Sequence, residues 1–259
     1  AKEKDADLVL ATDPDADRLG VYVKDTKSGE YITLTGNMSG CLLADYEISQ
    51  KKETKGLPAD GKLIKTIVTS NLADAIAEYY GVDLIEVLTG FKYIGQQILG
   101  FETTGKGEYL FGFEESYGCL IGTHARDKDA IVATMALCEA AAYYKTKNMT
   151  LWDAMLAMYE RYGYYKDGVK AVTMKGIEGL EKIQEIMNEL RTNPPKEFCG
   201  YKVESFRDYQ ADTITDIASG EVKPTGLPKS NVLYFDMSDK VWMCVRPSGT
   251  EPKIKFYFG

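Results

Sequence analysis

The sequence contains one histidine, five scattered cysteines and no long run of apolar residues. A single histidine makes paired-histidine metal sites and histidine relay chemistry poor candidates. The cysteines, at positions 41, 119, 138, 199 and 244, are odd in number and form no Cys-x-x-Cys pair, which favours a reduced compartment. The longest apolar stretch, residues 130–138, is far below the ~18 residues of a membrane span, and the first residues contain no signal-peptide core. We therefore expect a cytoplasmic protein without a membrane segment.

The sequence has fewer positively charged than negatively charged residues. The 259 residues include 31 Lys and Arg against 39 Asp and Glu, which gives a formal net charge of −8. This balance disfavours nucleic acid as a partner, because binding a phosphate backbone needs an excess of Lys and Arg. At roughly 150 residues per domain, the length allows one large or two medium domains with an ample core.

Hydrophobic periodicity divides the chain into two regions. In the first region, apolar strand-like runs alternate with helical stretches, which predicts a parallel, doubly wound α/β sheet. The strands predicted there are residues 7–11, 19–23, 63–68, 82–88 and 109–113, and the helices are 38–50, 71–80, 93–99, 129–145 and 150–163. In the second region, a helix at 177–191 precedes closely spaced strands at 201–206, 232–236, 241–245 and 254–258, which predicts an antiparallel α+β domain. We place the boundary within residues 162–168.

The segment TDPDADRLG places Asp13, Asp15 and Asp17 at alternate positions of a turn between two predicted strands. Three converging carboxylates suit Mg²⁺, which binds few protein oxygens and keeps sites for a phosphate. An EF-hand loop is excluded because Arg18 and Lys24 stand where a glycine and a bidentate glutamate are required. A solvated Asp-Pro turn is the alternative, but it leaves three repelling carboxylates uncompensated. We favour a metal-assisted phosphate site, with Arg18 orienting a phosphoryl group.

Two further segments carry polar groups at predicted strand ends, where α/β sheets usually bind ligands. GFEESYG follows an apolar strand, and its Glu114 and Ser116 stand two residues apart, suited either to vicinal sugar hydroxyls or to a plain polar turn. In VLTGFKYIG, Thr89 and Gly90 form a strand-ending turn, and Lys92 faces either a phosphate or solvent. Neither segment decides its role alone.

The segment THARDKDA opens the long predicted helix and contains the single histidine. One interpretation is structural: Asp127 or Asp129 caps the helix, and the basic residues are solvated. The other is chemical, because Lys128 close to phosphate and metal charges is suited to acid/base work or to a phosphate contact. His124 and Arg126 would then be supporting contacts.

The C-terminal segment RPSGTEPK joins two predicted strands. Arg246 offers a planar fork for bidentate phosphate contact, and Ser248 and Thr250 supply hydroxyls. Gly249 lets backbone N–H groups turn inward as an anion nest, and Lys253 adds positive charge. An ordinary hairpin is the alternative, although a hairpin turn rarely needs these residues together.

Taken in this order, DPDADR, TGFK, FEESYG, ARDKD and RPSGTEPK resemble the α-D-phosphohexomutase family of phosphoglucomutases and phosphomannomutases. The resemblance implies the end of a second α/β domain at residues 1–37, a complete three-layer α/β domain with a mixed sheet at 38–163, and a C-terminal antiparallel α+β domain at 164–259. The family's phosphoserine loop, of Ser-His-Asn-Pro type, has no counterpart in the sequence. We therefore expect a C-terminal fragment that lacks the phosphoserine domain.

The resemblance also implies roles for individual residues. Mg²⁺ would be held by Asp13, Asp15 and Asp17. The catalytic groups would be Arg18, Lys128 and His124. The residues that bind the substrate would be Thr89, Gly90, Lys92, Glu114, Ser116, Arg126, Arg246, Ser248, Gly249 and Thr250. The implied partner is a sugar phosphate, and the implied cofactors are Mg²⁺ and a hexose 1,6-bisphosphate as activator and intermediate.

The implied activity interconverts hexose 1-phosphate and hexose 6-phosphate through a phosphoserine. The Gly-Phe-Glu form of the sugar loop, followed by Ser-Tyr-Gly, is similar to the bacterial phosphoglucomutase-like branch, so glucose is favoured over mannose or a pentose. A non-catalytic sugar-phosphate-binding module is the alternative for the chain by itself. An aspartyl-phosphate phosphatase is disfavoured, because Asp17 and Arg18 replace the usual end of Asp-x-Asp-x-Thr.

Overall fold

The computed structural model describes residues 1–249 and 251–259, and the chain divides into two compact units, Ala1–Tyr165 and Lys166–Gly259. Thr250, a predicted phosphate ligand, lies outside the described residues. The first unit begins with an antiparallel sheet of three strands, β1 (Leu8–Thr12), β2 (Leu19–Lys24) and β3 (Tyr31–Leu34). Leu19, Val21 and Val23 are buried because alternate residues of β2 face the core.

The central sheet of the first unit has four strands. They are β4 (Gly61–Thr66), β5 (Asp83–Val87), β6 (Glu108–Phe113) and β7 (Cys119–Leu120), in the order β5-β4-β6-β7. The first three strands run parallel, whereas β7 pairs antiparallel with β6. The sheet is therefore mixed, as the family resemblance implied, and the purely parallel sheet predicted from periodicity is wrong at β7. The tight turn after β6 leaves no room for a crossover, so the chain returns antiparallel.

Helices cover both faces of this sheet. They are α1 (Gly36–Thr54), α2 (Leu72–Tyr80), α3 (Phe91–Thr104), α4 (Ala130–Thr146) and α5 (Leu151–Tyr162). Leu63 of β4 packs in the core that includes α1, α2, α4 and α5, while its neighbour Ile64 packs in the core that includes α3. The unit thus has the three layers of an α/β domain. None of the helices in the described part of the chain combines the length and apolar character that crossing a bilayer requires.

Two predicted helix starts are confirmed by their hydrogen bonds. The Asp129 carboxylate accepts from the backbone N–H groups of Ile131 and Val132 and caps α4. Thr150 and Asp153 form a reciprocal capping box at the start of α5. These caps satisfy N–H groups that have no partner within the helix.

The second unit is an antiparallel sheet with one long helix. The strands are β8 (Gly168–Thr173), β9 (Glu197–Phe198), β10 (Tyr201–Asp208), β11 (Thr213–Asp216), β12 (Val222–Lys223), β13 (Leu233–Met237), β14 (Trp242–Pro247) and β15 (Lys253–Phe258), and the helix is α6 (Gly176–Thr192). All of their pairings are antiparallel, in the order β12-β11-β10-β13-β14-β15-β8, with β9 beside β10. Ile183 and Met187 of α6 pack against Leu233, Phe235 and Val245. The predicted antiparallel α+β architecture is confirmed.

Candidate active site

The acidic loop, residues 13–18, lies between β1 and β2 and brings three carboxylates together. Asp13, Asp15 and Asp17 each offer an oxygen within 4.8 Å of the others. The Asp13 Oδ1 accepts from the backbone N–H groups of Asp17 at 3.1 Å and Arg18 at 3.0 Å, and these bonds, chiefly the one from Arg18, lower the pKa of Asp13. Ala16 turns the chain with a left-handed φ of 55°. Three carboxylate oxygens, one of them from the ionised Asp13, form a donor set that fits Mg²⁺.

Lys128 approaches this loop from the segment before α4. Its Nζ lies 2.9 Å from Asp17 Oδ2 and 2.8 Å from Asp127 Oδ1, and only 10% of its side chain is exposed. Burial alone lowers the pKa of Lys128, but the bonds to Asp127 and Asp17 outweigh burial, so the pKa is raised. The residue is therefore a cation at neutral pH. Ala130 N donates to Ala16 O at 3.0 Å, which holds the acidic loop against the start of α4.

The predicted sugar loop, residues 112–118, begins with the last two residues of β6 and contacts the loop after β5. Glu114 is 7% exposed, and its Oε1 accepts from Gly90 N at 2.8 Å. Burial raises the pKa of Glu114, although the Gly90 bond and the charges of Lys128 and Arg18 oppose the rise. Glu114 N donates to Gly118 O at 2.8 Å and closes the turn that contains the half-buried Ser116. The structure thus brings Glu114 and Gly90 into contact.

The acidic loop and the sugar loop are neighbours in the same unit. Leu19 N, at the start of β2, donates to Tyr117 O at 3.1 Å. Glycine is required at position 36 because a Cβ there would lie 2.1 Å from the Glu115 carbonyl oxygen. The start of α1 therefore packs directly under the sugar loop, and the two loops are held by backbone contacts.

The remaining predicted residues of the first unit have other neighbours. His124 Nε2 lies 3.0 Å from Asp129 Oδ2, the cap of α4. Arg126 donates to the carbonyls of Thr123 and Ala125 and to the Glu102 carboxylate. Both side chains therefore bond to neighbouring residues of the segment 123–129, and Arg126 also bonds to a residue of α3.

Three predicted residues lie at the edges of the loops described above. Lys92 lies exposed on the first turn of α3, with its Nζ 4.9 Å from the ring centroid of Tyr93. Thr89, at the end of β5, is half-buried. Arg18 is exposed, with its Nε 3.6 Å from Asp17 Oδ1.

Sequence reasoning missed two buried threonines beside the sugar loop. Thr66 ends β4 and Thr69 follows three residues later; their hydroxyl oxygens lie 2.8 Å apart, and Thr66 Oγ1 donates to Glu115 Oε2 at 3.4 Å. Glu114 and Glu115 therefore contact two different strand ends. The only signal in the sequence was their common position at the carboxyl ends of parallel strands.

In the second unit, the predicted phosphate loop joins β14 and β15. Ser248 N donates to Lys253 O at 2.7 Å, and Ser248 Oγ accepts from Glu251 N at 3.3 Å. Lys253 Nζ contacts Glu251 Oε2 at 2.8 Å and lowers the pKa of Glu251. Arg246 is half-buried at the end of β14, and Gly249 is exposed at the tip. The described part of the loop is a hairpin whose tip exposes backbone at Gly249.

Known proteins resemble this chain over most of its length. Residues 35–162 match a family model described as the alpha/beta/alpha domain III of phosphoglucomutase/phosphomannomutase. A phosphoglucomutase of Staphylococcus epidermidis is 40% identical over 255 residues, which are 98% of this chain and 45% of the relative. A phosphoglucomutase of Staphylococcus aureus is 38% identical over 257 residues, again 45% of its length. The chain thus spans under half the length of the curated relatives it matches.

Solved structures share the fold. The pp63/parafusin phosphoglucomutase of Paramecium aligns with a TM-score of 0.64 at 21% identity, over 97% of this chain and 40% of that one. A phosphoglucomutase/phosphomannomutase family protein of Burkholderia thailandensis aligns with a TM-score of 0.57 at 16% identity, over 99% and 43% of the two chains. An α/β/α unit followed by an antiparallel α+β unit is thus a fold of sugar-phosphate mutases. The chain belongs to the phosphoglucomutase/phosphomannomutase family.

Proposed function

We propose that the whole protein is a cytoplasmic, Mg²⁺-dependent phosphohexomutase that interconverts hexose 1-phosphate and hexose 6-phosphate, with glucose preferred. The observation that carries this proposal is one cluster in the first unit: three converging carboxylates, a buried glutamate at a strand end, and a lysine whose charge acts on both. The 40% identity to a phosphoglucomutase supports glucose as the sugar. The transferred group would pass through a phosphoserine and a hexose 1,6-bisphosphate.

In this proposal, Asp13, Asp15 and Asp17 hold Mg²⁺, which when bound neutralises charge on the phosphoryl group in a loose transition state. Arg18 contacts that group as a planar cation. Lys128, which lies beside Asp17 with little exposure, is the candidate acid/base group or a contact for the phosphoryl oxygens. A structure of an Aspergillus fumigatus N-acetylphosphoglucosamine mutase contains magnesium and a sugar phosphate.

The sugar itself would be bound at the ends of the parallel strands. One oxygen of Glu114 is occupied by the Gly90 N–H, and its second oxygen is available to accept from a sugar hydroxyl. Ser116 would contact a neighbouring hydroxyl. Supporting contacts would come from four residues of the surrounding loops: Thr89, Lys92, His124 and Arg126.

The phosphate that is not reacting would be held by the loop between β14 and β15. A guanidinium fork at Arg246, the Ser248 hydroxyl and exposed backbone at Gly249 together suit an anion. Thr250 completes this proposed set. Because these groups meet a phosphate far from the bond being broken, they would contribute to binding more than to chemistry.

The 259 residues by themselves would be a binding module, because their sequence contains no Ser-His-Asn-Pro motif to carry the phosphoryl group. We expect no mutase turnover by the purified 259-residue chain with glucose 1-phosphate, Mg²⁺ and glucose 1,6-bisphosphate. Turnover above a buffer control would contradict this expectation. In the full-length protein, kcat/KM for glucose 1-phosphate, mannose 1-phosphate and ribose 1-phosphate tests the sugar preference, and a higher value for mannose or ribose would reassign the substrate.

A further inference from the structure

Lys128, beside the candidate metal loop, is held by contacts with two other parts of the first unit. Its aliphatic stem packs on the sugar loop so closely that a Cβ at Gly118 would lie 2.1 Å from Lys128 Cδ. Its Nζ lies 5.6 Å from the Phe91 ring centroid. The ammonium is thus positioned within hydrogen-bond distance of Asp17, at 2.9 Å, by groups on two other elements.

The same carboxylate is assigned to the metal. A bound divalent cation and an ammonium that share Asp17 would lie a few ångströms apart and repel each other, and the site is only partly screened because 26% of the Asp17 side chain is exposed. Asp127 is already a second partner of the ammonium at 2.8 Å, so Lys128 would keep one carboxylate partner if it lost Asp17.

We propose that Lys128 is a built-in counter-ion that competes with the divalent cation for Asp17, and that metal binding separates its ammonium from Asp17 and leaves it paired with Asp127. This inference rests on the metal site assigned under the proposed function. Lys128 would neutralise the acidic loop in the metal-free state and weaken its affinity for metal. Metal binding would then free the ammonium of one partner and leave it available to an anionic ligand.

The test is the Mg²⁺ affinity of the 259-residue chain, measured from backbone amide NMR shifts of the acidic loop during titration with MgCl₂. Lys128→Met and Lys128→Gln remove the charge, and we expect roughly 5- to 20-fold tighter Mg²⁺ binding from the loss of repulsion. Lys128→Arg keeps the charge and should retain the wild-type affinity. Lys106→Met is the matched control, because it removes an exposed lysine at the opposite end of the central sheet, just before β6.

The outcomes separate the inference from the metal assignment. Wild-type binding with unchanged or weaker affinity in both neutral variants would overturn the counter-ion role and leave the metal site standing. An acidic loop whose amides do not respond to Mg²⁺ would overturn both. If the neutral variants fail to fold, ¹³Cε-lysine NMR of the wild type decides: the Lys128 resonance should shift with the same Mg²⁺ dependence as the loop amides, and a stationary resonance would refute the displacement.

Discussion

The acidic loop of the first unit and the Arg246 loop of the second unit both present charged groups at strand ends, but they are built differently. The acidic loop is held by distant elements, since Lys128 pairs with Asp17 and Ala130 donates to Ala16. The loop between β14 and β15, which we call the Arg246 loop, is held by backbone bonds: Ser248 N donates to Lys253 O within the hairpin, and Met174 N, just after β8, donates to Pro252 O. A change of charge in the first loop therefore disturbs an ion pair that joins two segments, whereas replacing Arg246 leaves these backbone bonds in place and should act on binding.

The largest effect is expected from Asp15→Asn in the full-length protein. Losing one of three converging carboxylates weakens the hold on the metal that stabilises developing charge, so kcat should fall by roughly 100- to 1,000-fold with little change in KM. Steady-state kinetics at the fixed Mg²⁺ concentration that just saturates the wild type measures the fall in kcat. Asp25→Asn, in the exposed turn between β2 and β3, is the matched control and should leave kcat unchanged. A normal kcat for Asp15→Asn would contradict the metal assignment.

The second loop should show the opposite pattern. Arg246→Ala in the full-length protein should raise KM by roughly 10- to 100-fold with kcat nearly unchanged, because contacts to the non-reacting phosphate are similar in ground and transition states. Arg246→Lys should recover part of the loss, since an ammonium lacks the guanidinium fork. If Arg246→Ala lowers the melting temperature while KM stays normal, Arg246 is a structural hairpin residue and the comparison between the loops fails.

A smaller effect is expected at the capping box of α5. Thr150→Ala removes the hydroxyl that accepts from Asp153 N, which should lower the free energy of unfolding by about 1 kcal/mol. Thr146→Ala, at the exposed end of α4, is the control and should change stability by less than about 0.5 kcal/mol. Urea denaturation of the 259-residue chain measures both variants, and equal effects would remove the special role of the cap.

The smallest effect is a difference in how stability depends on pH when the buried Glu114 is replaced and when the exposed Glu78 is replaced. Because burial raises the pKa of Glu114 above its ordinary value of 4.5, the folded chain binds this proton more tightly than the unfolded chain does. Its contribution to stability is therefore present below pH 4.5 and declines as the pH rises through the raised pKa. Glu114→Gln cannot ionise, and its carbonyl can still accept from Gly90 N. We expect its stability relative to the wild type to increase across that window and then to level off.

Thermal melts of the wild type and of Glu114→Gln between pH 4 and pH 8 measure this difference. Glu78→Gln, at an exposed position of α2, is the control and should follow the wild type at every pH. Parallel pH profiles for the wild type and Glu114→Gln would show that the ionisation of Glu114 carries no cost in the folded chain.

The buried elements were predictable because their apolar side chains recur at the spacing of a helix or of a strand. The strands β4, β5 and β6 and the helices α1 to α6 were each predicted, with ends displaced by a few residues. Six strands were missed. Three of them, β7, β9 and β12, have only two residues each, and the residues of β3, β8 and β11 are largely exposed or half-buried. Among these, β8 pairs with β15, and β11 pairs with β10 and β12.

The site was predictable at the level of local motifs and not of contacts. The clustering of Asp13, Asp15 and Asp17 follows from their spacing in one short turn. The contacts of Glu114 with Gly90 and of Glu115 with Thr66 depend on the strand order β5-β4-β6, which the sequence does not display. The Lys128–Asp17 pair likewise depends on how α4 packs against the acidic loop.

The most direct test of the central claim is Mg²⁺-dependent mutase activity in the full-length protein. With glucose 1-phosphate, a trace of glucose 1,6-bisphosphate and Mg²⁺, ³¹P NMR should show conversion to glucose 6-phosphate, abolished by EDTA and restored by excess Mg²⁺. The phosphoglucomutase of Staphylococcus epidermidis serves as the positive control. No conversion by the folded full-length protein, under conditions in which the control is active, would contradict the account.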